Sequence, residues 1–196
     1  MQRSKRIWTS AVVSGLLALA ALPVASATND GPAGGSVVAG TWEHRHASFH
    51  YEGITSLYSC AGLESNIRAL LQHMGARNDL TVRAYGCLGG YNQPGRSAIV
   101  DVDFYSLAQN ADANAANSVQ AHWTPVTVSA NHPNFIGYGD CELIHEMKEI
   151  LSKNFSLRNL SYRTDCMPYE VNTNDFSVKA EILKPLPATV ASAAQG

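Results

Sequence analysis

Hydrophobic residues recur along the chain in two different rhythms, and the same succession of rhythms occurs twice. After Cys60 and again after Cys141, apolar residues return every three or four positions, which is the spacing of one face of a helix. The first stripe comprises Leu63, Ile67, Leu70, Leu71 and Met74, and the second comprises Ile144, Met147, Ile150 and Leu151. Gly75 stands where a left-handed residue would end the first helix, and Asp140 stands where a side chain would cap the second. The pattern predicts two amphipathic helices.

Each predicted helix is followed by a run in which apolar and polar residues alternate, as they do in a half-buried strand. These runs cover 80–85 and 160–164, and in the second of them Leu160 and Tyr162 are expected to share the buried face. The segments that precede the helices predict two further strands, at 46–53 and 122–129.

The chain therefore contains two copies of one strand–helix–strand unit. Cys141 follows Cys60 by 81 positions, and Arg158 follows Arg77 by the same 81 positions. A further alternating run at 98–107 adds a strand between the copies, and we expect it to form a hairpin with the strand that follows it. Two such units in tandem predict an α+β ferredoxin-like sandwich, in which an antiparallel sheet carries both helices on one face.

The first residues have the layout of a secretory signal peptide. Arg3, Lys5 and Arg6 precede an apolar run over 7–22, and small residues precede a predicted cleavage site after Ala27. This run is shorter than the roughly 20 residues that cross a bilayer, and we expect no membrane span after cleavage. The predicted organisation is a signal peptide at 1–27, a flexible leader at 28–40, a single α+β domain at 41–184 and a disordered tail at 185–196.

Removal of the signal peptide changes the charge of the protein. Three of the 14 basic residues leave and none of the 16 acidic ones does, so the remaining chain has a net charge of −5. An acidic domain without a cluster of Lys and Arg is poorly suited to a phosphate backbone, and we expect no nucleic-acid partner. Export predicts a periplasmic or secreted protein.

Four cysteines in an exported chain predict two disulfides, for which three pairings are open. The repeat favours Cys60–Cys87 and Cys141–Cys166, because each bridge then ties the start of a helix to the end of the strand that returns beside it. The sequence contains no Cys-x-x-Cys motif, which argues against a redox or zinc-ribbon role.

Several segments resemble a family of small exported bacterial proteins that has a four-cysteine frame and no established activity. They are YSCAGL, MGARNDLTVRAYGC, HWTPV and DCEL, together with the second Arg-Asn pair and the final cysteine, and the similarity covers about 48–183. The resemblance implies the fold frame and export, and it implies no catalytic residue.

Three histidines are candidate metal ligands. His44, His46 and His50 occupy even positions of one predicted strand and would share a face. Imidazoles bind copper, zinc or nickel, so the sequence indicates a Cu or Zn site as its one candidate cofactor site. The alternative is that these side chains line the wet face of the first strand.

Two aspartates and two arginines form a candidate partner surface. Asp101 and Asp103 share a face, and paired carboxylates can act as acid and base. Arg83 and Arg163 occupy matching outward positions in the repeat. Because the second strand of a ferredoxin-like sheet lies beside the third, we expect Arg83 to face one of these carboxylates in an exposed ion pair.

The first functional interpretation is an exported, non-catalytic binding or accessory protein of the bacterial envelope, whose partner is an envelope protein or a small ligand. The sequence contains no Gly-x-Ser-x-Gly, phosphate-binding or His-Glu-x-x-His motif. The alternative is a periplasmic copper- or zinc-binding protein that uses the histidine face. A small hydrolase is a third candidate, because catalytic Ser, His and Asp residues can come from distant parts of a chain.

Overall fold

A computed structural model describes residues 37–87, 94–109, 118–167, 170–171 and 175–187. The predicted signal peptide, most of the predicted leader and most of the predicted tail lie outside the described residues.

The described residues form six strands and two α-helices. In chain order they are β1 (Val38–Glu52), α1 (Cys60–His73), β2 (Thr81–Tyr85), β3 (Ser97–Gln109), β4 (Ser118–Ser129), α2 (Cys141–Asn154), β5 (Leu157–Thr164) and β6 (Phe176–Pro185). The strands form one antiparallel sheet in the order β2-β3-β1-β4-β6-β5. This arrangement confirms the α+β class and the antiparallel sheet.

The sheet consists of two halves that meet at its centre. The N-terminal half is β1, α1, β2 and β3, and the C-terminal half is β4, α2, β5 and β6. The halves join where 38–41 of β1 pair with 118–121 of β4. Each half thus contains one strand more than the predicted unit, and β6 was not predicted. The predicted hairpin of β3 with β4 is wrong, because β3 lies between β2 and β1.

The two helices form where the apolar stripes predict them. The Ser59 side chain caps α1 by accepting a hydrogen bond from the Gly62 amide at 3.2 Å, and Gly75 follows the helix with φ of +88°. Asp140 precedes α2 as expected, but its carboxylate does not cap that helix. It instead accepts hydrogen bonds from the Gly137 amide, at 2.7 Å, and from the Tyr58 hydroxyl.

One hydrophobic core lies between the helices and the sheet. The apolar stripes of α1 and α2 pack against the alternate, inward residues of the strands in a single cluster. Each helix ends against the opposite half: His73 of α1 donates to the Thr127 carbonyl of β4 at 3.2 Å, and Ser106 of β3 donates to the Asn154 carbonyl of α2. The halves are therefore interlocked by their helices as well as joined by β1 and β4. Neither α1 nor α2 is long and apolar enough to cross a bilayer.

A second, smaller apolar cluster lies on the other face of the sheet, which we call the outer face. Its members come from the strands around the junction of the halves: Leu107, Ala121 and Leu183, with Val38, Trp42, Val119 and Trp123 packed against them. The repeated arginines sit at its edges. The Arg77 guanidinium lies 3.8 Å from the Tyr105 ring centre, and that of Arg158 lies 3.8 Å from the Trp123 ring centre. Cation–π contact thus gives a structural reason for the repeat of this residue.

Both predicted disulfides form. The Cα–Cα distances are 5.2 Å for Cys60–Cys87 and 6.1 Å for Cys141–Cys166, within the range that a disulfide spans. Each bridge ties the first residue of a helix to the segment that follows the next strand.

Three local expectations differ from the structure. Leu160 is exposed, because a bulge between Arg158 and Ser161 shifts the register of β5, and Leu157 packs against the core instead. Strand β1 begins at Val38, within the predicted leader. Strand β6 ends at Pro185, one residue beyond the predicted domain.

Candidate binding surface on the outer face

The outer face of the N-terminal half carries rows of polar and aromatic side chains. Strands β2, β3 and β1 lie side by side, so residues in register form rows across the three strands. The rows are Tyr85, Ile99 and His50; Arg83, Asp101 and Ser48; and Thr81, Asp103 and His46. Beyond them, Tyr105 pairs with His44 on β3 and β1. The register therefore collects most of the predicted site residues on one surface.

This surface is concave where β2 lies beside β3. A cavity of about 240 Å³ lies over β2 and β3, and we call it the outer-face cavity. It is lined by His46, Thr81, Arg83, Tyr85, Asp101 and Asp103. The cavity combines one guanidinium, two carboxylates, an imidazole and two hydroxyl groups in a small volume, which is the mixture of donors and acceptors that orients a polar ligand.

Arg83 and Asp101 are directly opposite each other on β2 and β3, as expected. They nevertheless form no ion pair, and in the described part of the chain neither side chain has a hydrogen-bond or charged partner. The expected exposed ion pair is therefore wrong. Both charges stay available to a ligand or partner.

His44 and His46 converge on Asp103. The His46 Nδ1 atom lies 3.2 Å from Asp103 Oδ1, and the His44 Nε2 atom lies 3.6 Å from the same oxygen. The structure thus places between these imidazoles a carboxylate that the sequence pattern alone did not assign to them.

His50 is separated from the other two histidines. It shares their face of β1, but its nearest charged partner is Glu52, at 3.9 Å, and it lines a different cavity. Among the described residues, no three His, Cys, Asp or Glu side chains are arranged to hold a metal ion. The structure therefore does not assemble His44, His46 and His50 as one ligand set.

Arg163 also lies apart from the surface. It belongs to β5, the opposite edge of the sheet from the β2 strand of Arg83, and it forms an ion pair with Asp175 at 3.4 Å. The four residues predicted as a partner surface therefore do not form one patch: Arg83, Asp101 and Asp103 lie together, and Arg163 does not.

The two halves differ in the chemistry of their outer faces. Although their scaffolds correspond, the C-terminal half carries mainly small or hydroxyl-bearing side chains and lysine on this face: Pro125, Thr127, Ser161, Ser177 and Lys179, besides Arg163 and Glu181. Histidines and aspartates are concentrated on the N-terminal half, and the carboxylate of Asp101 is unpaired there. Because both halves share the same scaffold, the fold itself does not require these side chains on the N-terminal half.

A second cavity, which sequence patterns did not indicate, lies beside α2. It has a volume of about 490 Å³, and we call it the helix cleft. It is lined by His50, Glu52, Glu142, His145, Glu146, Cys166 and Met167. These residues come from three separate parts of the chain. The sequence indicated contact between only two of these parts, the start of α2 and the segment after β5, through the predicted Cys141–Cys166 disulfide.

Two buried carboxylates hold the loop between β1 and α1 against the start of α2. Glu142 accepts hydrogen bonds from the amides of Ile54, at 3.0 Å, and Thr55, at 3.1 Å. Asp140 accepts from the Tyr58 hydroxyl. Burial, followed by this hydrogen bond to Asp140, raises the pKa of the Tyr58 hydroxyl, so it stays a proton donor under alkaline conditions in which an exposed tyrosine ionises. The start of α2 is thus a rigid wall of the helix cleft.

Comparison of the chain with models of protein families, with curated proteins and with solved structures gives no match.

Proposed function

We propose that the protein is an exported, non-catalytic binding protein that recognises a partner through the outer face of its N-terminal half. The observation that carries the proposal is the set of unpaired and titratable side chains that the register gathers around the outer-face cavity. Two disulfides are compatible with an oxidising compartment, the periplasm or the cell exterior. Membership of the exported bacterial family and the ferredoxin-like relation of the two units are part of the same proposal.

The chemistry of the surface favours a protein partner. Arg83 and Asp101 offer two opposite charges without partners, and the adjoining row exposes apolar area at Ile99 and Tyr85, whose surfaces are 56% and 48% accessible. A polypeptide segment that presents an apolar side chain beside an acidic and a basic one matches all three features. Aromatic and arginine side chains of this kind are enriched at protein interfaces.

Charge reversal tests this proposal. We expect Arg83→Glu to weaken binding of a partner identified by cross-linking at least about tenfold, because the new carboxylate repels the partner's acidic group. Lys179→Glu is the matched control, since it reverses a charge on the outer face of the other half and should leave affinity unchanged. Equal losses in both variants, measured by calorimetry, would show that the interaction is a general charge effect and would remove this surface as the binding site.

A second candidate function, copper or zinc binding, is favoured by the contact of His44 and His46 with Asp103. The two imidazoles and the carboxylate are about half exposed, so their side chains are free to turn toward an ion. These three side chains do not surround one point in the structure, but after such a turn they would supply one carboxylate and two imidazoles, a ligand set that zinc accepts. In this ligand set, Asp103 takes the place of His50, which the sequence had grouped with His44 and His46.

Single alanine variants distinguish the two ligand sets. We expect His46→Ala to lower zinc affinity about 100-fold, because it removes one of three ligands, whereas His50→Ala changes it little. Titration of the protein with zinc at neutral pH measures both. An equal loss in the two variants would restore His50 as a ligand, and no uptake by the unaltered protein would exclude the site.

A further inference from the structure

The helix cleft is a site of its own, independent of the proposed outer-face function. It opens between the end of β1, the first two turns of α2 and the segment that follows β5. Strand β1 pairs with β4 only over 38–41, so among the described residues no strand pairs with that edge of β1 beyond Thr41. Helix α2 contacts β1, and the cleft lies between the two. Its volume of about 490 Å³ is in the range of cavities that bind small organic ligands.

The lining of the helix cleft is negatively charged. Three glutamates face it, namely Glu52, Glu142 and Glu146, and no lysine or arginine is among the described residues that line it. Glu142 is fixed in place, because its carboxylate accepts hydrogen bonds from the Ile54 and Thr55 amides and its residue is only 8% exposed. Several carboxylates around one partly enclosed volume attract a cation strongly.

The repeated scaffold does not require all of these charges. At the position 81 residues earlier, on α1, Glu146 corresponds to Ser65. The first half carries one carboxylate nearby, because Glu64 corresponds to His145, but Glu64 accepts a hydrogen bond from the Ala84 amide at 2.8 Å. The described structure gives Glu146 no such contact. We therefore attribute Glu146 to what the cleft holds rather than to the fold.

The remaining walls of the helix cleft show which kind of cation fits. Met167 and the Cys166 end of a disulfide contribute apolar sulfur surface, and His50 and His145 contribute imidazoles. An aliphatic chain can lie against the sulfur atoms while ammonium groups reach the carboxylates. No three ligands converge among the described residues that line the cleft, and Glu142 is held by the Ile54 and Thr55 amides rather than free to turn toward a metal ion.

We propose that the helix cleft binds an aliphatic polyamine, a flexible chain whose ammonium groups are met separately by Glu52, Glu142 and Glu146. Charges that are spread along a chain do not have to meet at one point. This accounts for a cleft that is rich in carboxylates but holds no convergent metal-ligand set.

Isothermal titration calorimetry with spermidine at moderate salt tests the proposal. We expect saturable binding at one site, weakened about fivefold or more by Glu146→Gln, since this variant removes one carboxylate without changing the size of the side chain. Glu149→Gln is the matched control. Glu149 lies on the same helix, pairs with Lys153 and does not line the cleft, so the same loss of charge there should change affinity by less than about twofold.

Three results would overturn this assignment. Equal weakening by the two variants would show that spermidine responds only to the net charge of the protein. Displacement of spermidine by equimolar zinc or calcium would identify an inorganic cation as the occupant. No binding of spermidine, alongside tight binding of a lysine-containing peptide with blocked ends, would identify a protein side chain as the source of the ammonium group.

Discussion

Joint replacement of Cys60 and Cys87 by alanine is expected to lower the free energy of unfolding by about 3.5 kcal/mol, the largest effect that we predict for any side-chain change. The bridge closes a loop with a sequence separation of 27 residues, and its loss frees the unfolded chain to explore more conformations. A domain of this size has a net stability of only about 5–15 kcal/mol, so the variant should unfold at much lower urea concentration. Equilibrium urea unfolding followed by circular dichroism measures the difference.

The second disulfide provides a matched comparison. Cys141 and Cys166 close a loop with a separation of 25 residues, so their joint replacement should cost nearly the same free energy. Disulfide mapping of the unaltered protein by mass spectrometry should recover only these two pairings. A cross-paired bridge between the halves, or a cost below about 1 kcal/mol for both variants, would contradict the stabilising role that we assign to the bridges.

Replacement of Glu142 by glutamine is expected to lower the free energy of unfolding by about 2 kcal/mol. One carboxylate oxygen, Oε2, accepts hydrogen bonds from both backbone amides in a buried site, and the glutamine oxygen can take its place but carries no charge. The glutamine NH2 group then replaces Oε1, which lies 3.4 Å from the Thr55 nitrogen, so a donor faces a donor there. Two charge-assisted hydrogen bonds therefore become weaker, neutral ones. The same urea titration measures this loss.

Glu146→Gln provides the control for this second prediction, because it makes the same chemical change on the same helix at a residue without such amide contacts. We expect its stability to stay within about 0.5 kcal/mol of the unaltered protein. If Glu142→Gln were equally harmless, the carboxylate would not be what holds the loop between β1 and α1 against α2.

The helices and the disulfides were predictable from the sequence because both depend on short-range patterns. A stripe of apolar residues specifies a helix face locally. The repeat of Cys60 at Cys141 indicates that the start of each helix meets the end of the strand that follows it. Strand β6 carries an equally regular alternation, with Phe176, Val178 and the following inward residues buried. The repeated unit ends at the last cysteine, however, and gives no place for a further strand.

The order of the strands and the register between them were harder to predict from the sequence. Alternation shows which side chains share a face of one strand, and it correctly groups His44, His46 and His50. It does not show which strand lies alongside, and so it could not place Asp103 against His44 and His46. Leu160 illustrates the same limit, because a single bulge in β5 reverses the face on which it lies.

The helix cleft could not be predicted from the sequence, for a related reason. Its lining comes from β1, from α2 and from the segment after β5, which lie far apart in sequence. They meet where β1 is no longer paired with β4, beyond Thr41, and α2 contacts β1. Local sequence patterns do not show where the pairing of two strands ends.

Site-specific photo-cross-linking in the producing cell tests most directly whether the outer face of the N-terminal half meets a partner. A photoreactive side chain at Thr81, on the rim of the outer-face cavity, should yield one defined protein adduct, and Asp101→Ala should abolish it. The same group at Ser161, on the outer face of the other half, should yield no such adduct. Identical adducts from both positions, or an adduct at Thr81 that persists when Asp101 and Arg83 are both replaced, would contradict recognition through this surface.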